Sequence, residues 1–450
     1  MSFLFRKTGR LVLILSVLGS LQLGWQEAAA RDWYFSPELN IAEKYDSNIF
    51  FSRHDPEDDW ITQVTAGGTL AGRSERSQCR LDAIMIAEKY LDNDDLDETL
   101  GDIKLSLSRW WSPKFQTTWS SYGKRDTTLE TVLEENGKVT KRENRYRYGS
   151  SILFDYKWSE RLSFDTEAGW SQSHYPDEGL TDLDDWFGQL NVTLVVSEKD
   201  AVGALFRHST ANYDDFENRF QTPIDQLQGV DSRDKSEVEI SSGSLFWKRV
   251  FNETTQLSSS VGYRRTRNDI APIVRQYFDV ESGQEFFATI PGTGLKFDPF
   301  TGQLIDPLSP GTDATDSGLI FNVALDQIWS PRLKSELEVG RQDYFSTEVN
   351  STERTFIRVE CNYQFNEKLG LTTTVRYDYS TEKGETNEKK NHNFSVIPYL
   401  SWQFAENISV SVMGAYYCYT TEDEADEYNR EKFSISCKLR WTWPGLFGNH

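Results

Sequence analysis

Beyond its first thirty residues this 450-residue chain has no apolar run approaching the ~18 residues that a membrane-crossing helix needs. A helical membrane bundle is therefore excluded. Only four cysteines are present, Cys79, Cys361, Cys418 and Cys437, and none is spaced as CxxC, which removes zinc-ribbon and dithiol redox chemistry. Basic residues are the minority, 48 against 70 acidic, so a polyanionic partner such as nucleic acid is excluded. Histidine is scarce, and the one His-Ser neighbour pair, His208 and Ser209, falls in an alternating segment that would point the two side chains to opposite faces. The acidic stretch Asp92-Asn93-Asp94-Asp95 lacks calcium-loop spacing and reads as a solvated loop. The chain thus predicts no enzyme, no cofactor and no metal.

One short phrase recurs. An aromatic residue is followed by a small or amide residue, then Pro or Glu, then usually a cation or amide: Trp111-Ser112-Pro113-Lys114, Trp158-Ser159-Glu160-Arg161 and Trp329-Ser330-Pro331-Arg332. A second form reads Phe251-Asn252-Glu253-Thr254, Phe365-Asn366-Glu367-Lys368 and Phe404-Ala405-Glu406-Asn407, with Val196-Ser197-Glu198-Lys199 as a weaker copy. Ser, Asn and Pro at these offsets are tight-turn residues, so each phrase predicts a hairpin tip. A large ring at every tip suits a bilayer, where aromatic side chains gather at the headgroup level. Trp111, Trp158, Trp170, Trp329, Phe365, Phe404, Trp441 and Trp443 form the expected girdle.

The amino terminus carries Arg6, Lys7 and Arg10, an apolar run from Leu11 to Leu23, and Ala28-Ala29-Ala30. This is the layout of a secretory signal peptide, residues 1–30, cut after Ala30. Removing it leaves 45 basic and 69 acidic residues, a net charge of −24. The acids gather in loops, while the segments between them alternate. Ile103, Leu105 and Leu107 oppose Lys104, Ser106 and Ser108; Phe433, Ile435, Cys437, Leu439 and Trp441 oppose Ser434, Ser436, Lys438 and Arg440. Cys418 and Cys437 fall on one predicted outer face, as a cross-strand disulfide or, preferably, as two small lipid-facing residues.

Alternating segments run over 33–43, 60–71, 78–90, 99–111, 114–125, 144–158, 161–173, 185–197, 200–212, 235–250, 255–268, 317–329, 332–346, 353–365, 368–381, 391–404, 407–420 and 430–443. Short phrase turns alternate with long acidic or Gly/Pro-rich links, the longest from Asp269 to Asp316. The predicted fold is all-β: residues 31–450 as a single transmembrane antiparallel up-and-down barrel of about 18 strands, in the bacterial outer membrane, with both termini at the short-turn rim. No plug or further domain is foreseen. The side chains expected to line the lumen, and any substrate path, are Lys104, Arg147, Lys157, Asp165, Glu167, Glu239, Arg264, Glu336, Glu338, Arg358, Glu360, Arg376, Asp378, Lys438 and Arg440. Their signs fall in partly opposed sectors, which would set up a transverse field, or else lace the wall shut.

The step Tyr45-Asp46-Ser47-Asn48-Ile49-Phe50, together with the Trp-Ser-Pro-Arg turns, resembles the outer-membrane β-barrel porin 2 family, proteins associated with exopolysaccharide systems. That resemblance implies a barrel acting as a pore or polysaccharide-export channel, with outer-membrane lipid, the assembly machinery and an extracellular polysaccharide as partners. It implies no catalytic residue. The alternative is a non-conducting structural or adhesive barrel with acidic external loops. Barrels of this kind finish on a terminal aromatic; here Trp441-Thr442-Trp443 precedes Pro444 to His450, which leaves the register of the last strand open.

Overall fold

The computed structural model describes residues 33–128, 142–176, 181–221, 227–271, 273–279, 288–289, 296–297, 312–345, 351–383, 388–423 and 426–443. The signal-peptide expectation for 1–30 and the chain after Trp443 lie outside these residues.

Alternation of apolar and polar residues produces strands of 13 to 19 residues that make up the wall. They are β1 (Trp33–Asp46), β2 (Asp59–Arg73), β3 (Ser77–Tyr90), β4 (Glu98–Ser112), β5 (Phe115–Thr127), β6 (Asn144–Lys157), β7 (Leu162–His174), β8 (Leu183–Val195) and β9 (Asp200–Tyr213). Outside the wall lie β10 (Phe216–Gln221) and β11 (Leu227–Arg233). The wall resumes with β12 (Ser236–Asn252) and β13 (Thr255–Ile270). In the next long link are β14 (Ile273–Asp279), β15 (Ala288–Thr289) and β16 (Lys296–Phe297). The last seven wall strands are β17 (Thr312–Ser330), β18 (Leu333–Phe345), β19 (Ser351–Asn366), β20 (Leu369–Lys383), β21 (Glu388–Ala405), β22 (Ile408–Asp423) and β23 (Asp426–Thr442). Each wall strand pairs antiparallel with the next, and β23 pairs with β1 from Glu38↔Thr442 to Asp46↔Ser434, which closes an 18-stranded barrel. Closure removes both sheet edges and satisfies the backbone without water, as a membrane wall requires. The register of the last strand is thereby set by β1, with Trp441 opposite Leu39.

The recurring phrase has a structure that alternation alone did not reveal. In five turns the ladder slips by one residue, and the slipped residue is the aromatic: Trp111, Phe251, Trp329, Phe365 and Phe404 each form a β-bulge. In four of the five the residue after it, Ser112, Asn252, Ser330 or Asn366, caps the turn. Ser330 Oγ accepts from the backbone N–H of Arg332 and Leu333, and Asn366 Oδ1 accepts from those of Lys368 and Leu369. All these turns lie at one rim, here the inner one.

The opposite, outer rim is uneven. Among the described residues, β10, β11 and β14 form a small sheet, so the links after β9 and β13 are joined rather than independent. The last three links of the outer rim are not long. The ladder of β22 and β23 continues to Asp423↔Asp426, because the acid-rich ends pair as backbone regardless of their charge.

Outward faces carry Ile103, Phe154, Leu190, Leu245, Val261, Ile357 and Leu439, all exposed to the surroundings of the wall. Two aromatic belts bound this apolar zone. At the inner rim stand Trp111, Trp158, Trp329, Phe365, Phe404 and Trp441, with Trp441 and Trp443 stacked 5.0 Å apart. Trp170 belongs to the other belt, beside Trp186 near the outer ends of β7 and β8, where Tyr45 and Trp60 also meet. The barrel therefore has the sidedness of an outer-membrane protein: apolar where lipid lies, polar inside. All four cysteines are free; Cys418 stands opposite Glu431 and Cys437 opposite Val412, so both face outward but far apart along the wall.

Candidate lumenal site

Directly paired residues point to the same face, so rows of pairs can be followed around the wall. One row passes through Asp82, Lys104, Tyr122, Gly149, Ser171, Asp185, Ala211 and Val238, and Ala211 and Val238 have no exposed surface, which identifies the enclosed side. The same tracing places Arg147, Lys157, Asp165, Glu167, Arg264, Glu336, Glu338, Arg358, Glu360, Arg376, Asp378, Lys438 and Arg440 on the lumenal face with Lys104.

Glu239 is the correction. It pairs with Thr210 and Arg267, on the outward face that also carries His208 and Ser241. Near the outer end of β12 the apolar residues turn inward: Val238 packs with Ala211 and Tyr213 inside the mouth, and the acids next to it face out. The usual rule of apolar out, polar in is reversed there because the mouth has a packed interior of its own. His208 and Ser209 do lie on opposite faces, His208 bonded to Ser241 and Ser209 buried inside.

The step Tyr45 to Phe50 builds part of that interior. Asp46 is buried between Lys432 at 2.8 Å and Lys44 at 3.2 Å, and its Oδ1 accepts the Asn48 backbone N–H. Asn48 Nδ2 donates to the carbonyls of Ser52 and Glu431, while Ser47 exchanges hydrogen bonds with Phe433 on β23. These bonds stitch the first strand to the last and fold the link 47–58 into the mouth. Ile49 packs on Ile61 and Tyr90, and Phe51 on Ala415, Tyr417 and Tyr419, all lumenal residues. Phe51 reaches this place with φ of 52°, a left-handed conformation uncommon for a bulky residue.

Buried ion pairs ring the same level. Asp126 takes Arg145 at 3.0 Å and Arg147 at 2.8 Å; Asp378 takes Arg354 and Arg376; Arg264 bonds Asp316 and Glu353; Arg142 bonds Glu98 and the Tyr90 hydroxyl. Lower in the lumen, Arg358 pairs with Glu360 and Arg440 with Glu38. Most cations expected to form one sector of a field are thus matched by carboxylates beside them. The acids left in excess stand in two patches, Asp155 with Asp165 and Glu167, and Asp326 with Glu336 and Glu338. Among the described residues no group of three or more metal-binding side chains is assembled.

At the outer end of β2, beyond Trp60 of the outer belt, Asp59 accepts the backbone N–H groups of Leu91, Asp92 and Asn93 and the Asn93 amide. Burial alone would raise its pKa; these four donors outweigh it and hold the carboxyl below its usual range. Asp97 is also held low, by Lys89 at 2.8 Å and the Tyr90 N–H.

A cavity of 440 Å³ opens in the lumenal wall across β3 to β8, with Arg80, Asp82, Lys104, Tyr122 and Phe187 around it and serines between them. Sequence reasoning passed over Arg80, Asp82, Tyr122 and Phe187, since an inward ring looks like an outward one until register is known.

Comparison with known proteins gives three results. Residues 350–448, β19 to β23, match the model of a family described as "Putative MetA-pathway of phenol degradation". No curated protein matches. Among solved structures the chain is similar to the ferric yersiniabactin uptake receptor of Yersinia pestis (8% identity, 91% of this chain and 80% of that one, TM-score 0.47). It is also similar to the FrpB iron transporter of Neisseria meningitidis (7%, 92% and 83%, 0.46) and the siderophore receptor PirA of Pseudomonas aeruginosa (10%, 92% and 81%, 0.42).

Proposed function

We propose that this chain forms an outer-membrane passage for small polar solutes, held narrow at its outer mouth by its own first loop. The observation that carries this is the enclosed face, which is polar and charged on strands around the whole circumference while the opposite face is apolar. A wall of 18 strands leaves room for an aqueous lumen. The two family likenesses suggest different cargoes, an extracellular polysaccharide from the porin 2 resemblance and a phenol-pathway compound from the matched description, and the passage reading commits to neither. No catalytic role is assigned: the His208–Ser209 pair is divided between the two sides of the wall.

A second reading, a shut structural barrel, draws on the link 47–58 tucked into the mouth and the buried ion pairs around it. Planar-bilayer recording separates the two. Steady open steps with the purified barrel support a passage. Silence, persisting when residues 48–56 are replaced by a short Gly-Ser link, overturns it in favour of the structural barrel.

A further inference from the structure

The 440 Å³ cavity in the lumenal wall has a composition that the passage reading leaves unused. Two neighbouring rows of paired residues form it. The first runs Arg80, Ser106, Ser120, Ser151, Gly169, Phe187; the second runs Asp82, Lys104, Tyr122, Gly149, Ser171, Asp185.

The floor is therefore small and hydroxylated, and rings stand at its edges. Tyr122 leans across Gly149 so closely that a β-carbon there would sit 2.3 Å from its ring, and Phe187 leans across Gly169 with the corresponding distance 2.5 Å. Bare glycine lets both rings settle against the wall instead of standing into the lumen. The Arg207 guanidinium, 5.0 Å from the Phe187 centroid, holds that ring in place. The hydroxyls of Ser106, Ser120, Ser151 and Ser171 make no hydrogen bond to any described residue, although each is only half-exposed. The charges are balanced: Arg80 makes two bonds to Asp82, at 2.7 and 2.8 Å, and Lys104 pairs with Asp102 at 3.0 Å.

The geometry points to a binding site for a neutral, hydroxyl-rich ring: a sugar residue. An anion gains little from cations that already share carboxylates. A plain aromatic solute would leave four hydroxyls without partners. A sugar offers both donors and acceptors, so it can bond the serines and the Arg–Asp pair together while a face of its ring stacks on Tyr122 or Phe187. Strand spacing of about 4.8 Å sets neighbouring serines a distance apart comparable to the span of a pyranose ring. The volume is in the range of small-molecule pockets, roughly 300–1,000 Å³.

This inference rests on the passage reading for solute access, and names the class of solute. Saturation-transfer NMR on the full barrel in detergent, with maltotriose, galacturonate and benzoate as probes, tests it without needing conductance. Maltotriose should give the strongest signal, at least fivefold weaker in Ser120→Val/Ser151→Val and in Tyr122→Leu, and unchanged in Ser241→Ala on the outward face of β12. Heat-modifiable electrophoretic mobility shows that each variant is folded. No maltotriose signal, equal signals in folded variants, or a stronger signal from galacturonate or benzoate would overturn the assignment. A bilayer still silent after replacement of residues 48–56, together with Tyr122-dependent maltotriose binding, defeats the passage and keeps the site; a conducting barrel indifferent to these variants does the reverse.

Discussion

Asp46 Oδ2 and Lys432 Nζ lie 2.8 Å apart, both almost wholly buried, at the outer end of the seam where the last strand meets the first. A buried pair of this kind is costly to break from one side, because the remaining charge keeps its desolvation penalty without its partner.

Asp46→Asn should therefore destabilise the barrel by roughly 3–5 kcal/mol. It leaves Lys432 and Lys44 without their shared carboxylate and loosens the link 47–58. The temperature at which the folded electrophoretic form disappears should fall, and channel noise in bilayers should rise. Replacing Asp46 and Lys432 together by Leu and Met should cost much less than the single change. An Asp46→Asn barrel as heat-resistant as the parent would remove the seam from the account.

Acid should loosen the link 91–97 before the wall. Asp59 and Asp97 both titrate lower in the fold than in the unfolded chain. Their contribution is thus complete above the unfolded value of about 4 and is lost as pH falls through the lower folded values. Protection of the Leu91, Asp92 and Asn93 amides, taken relative to their intrinsic exchange rates, should fall below about pH 4. In Asp59→Asn that protection should already be lost at neutral pH and change little with acid.

Most of this architecture is legible in the sequence, because a wall with lipid on one side must alternate. All eighteen segments called from alternation overlap wall strands, though several strands run higher than their alternation suggests. What alternation does not encode is register at the mouth, where Val238 and Ala211 pack inside and Glu239 faces out. Nor does it say which carboxylate each arginine meets: Arg264 finds Glu353, 89 residues away. The step 45–50 is conspicuous as a motif, but its work as a seam clasp depends on Glu431 and Phe433, nearly 400 residues later.

Under the passage reading, Glu336→Gln/Glu338→Gln should reduce cation preference several-fold in reversal-potential measurements, since both carboxylates face the lumen beside Asp326, and Arg358 opposite Glu338 is already paired with Glu360. Glu239→Gln, on the outward face, should leave selectivity unchanged. The opposite result would mean that the row tracing has exchanged inside and outside at β12.

Gly203→Ala should cost about 1–3 kcal/mol, the usual range for overpacking. A β-carbon there would come within 2.1 Å of the Val192 carbonyl oxygen and 2.2 Å of the Phe246 ring, and the backbone oxygen cannot move aside. Gly188→Ala, with nothing near its β-carbon position, is the matched control, and thermal unfolding of the two variants gives the comparison.

The bulged ring before the inner turns has an evolutionary corollary. Five hairpins finish in the same slipped aromatic, four of them with a cap on the residue after it, so each brings its own rim fitting. A gene that duplicated or lost one such hairpin would encode a wider or tighter bore, while the remaining hairpins kept their anchoring at the interface.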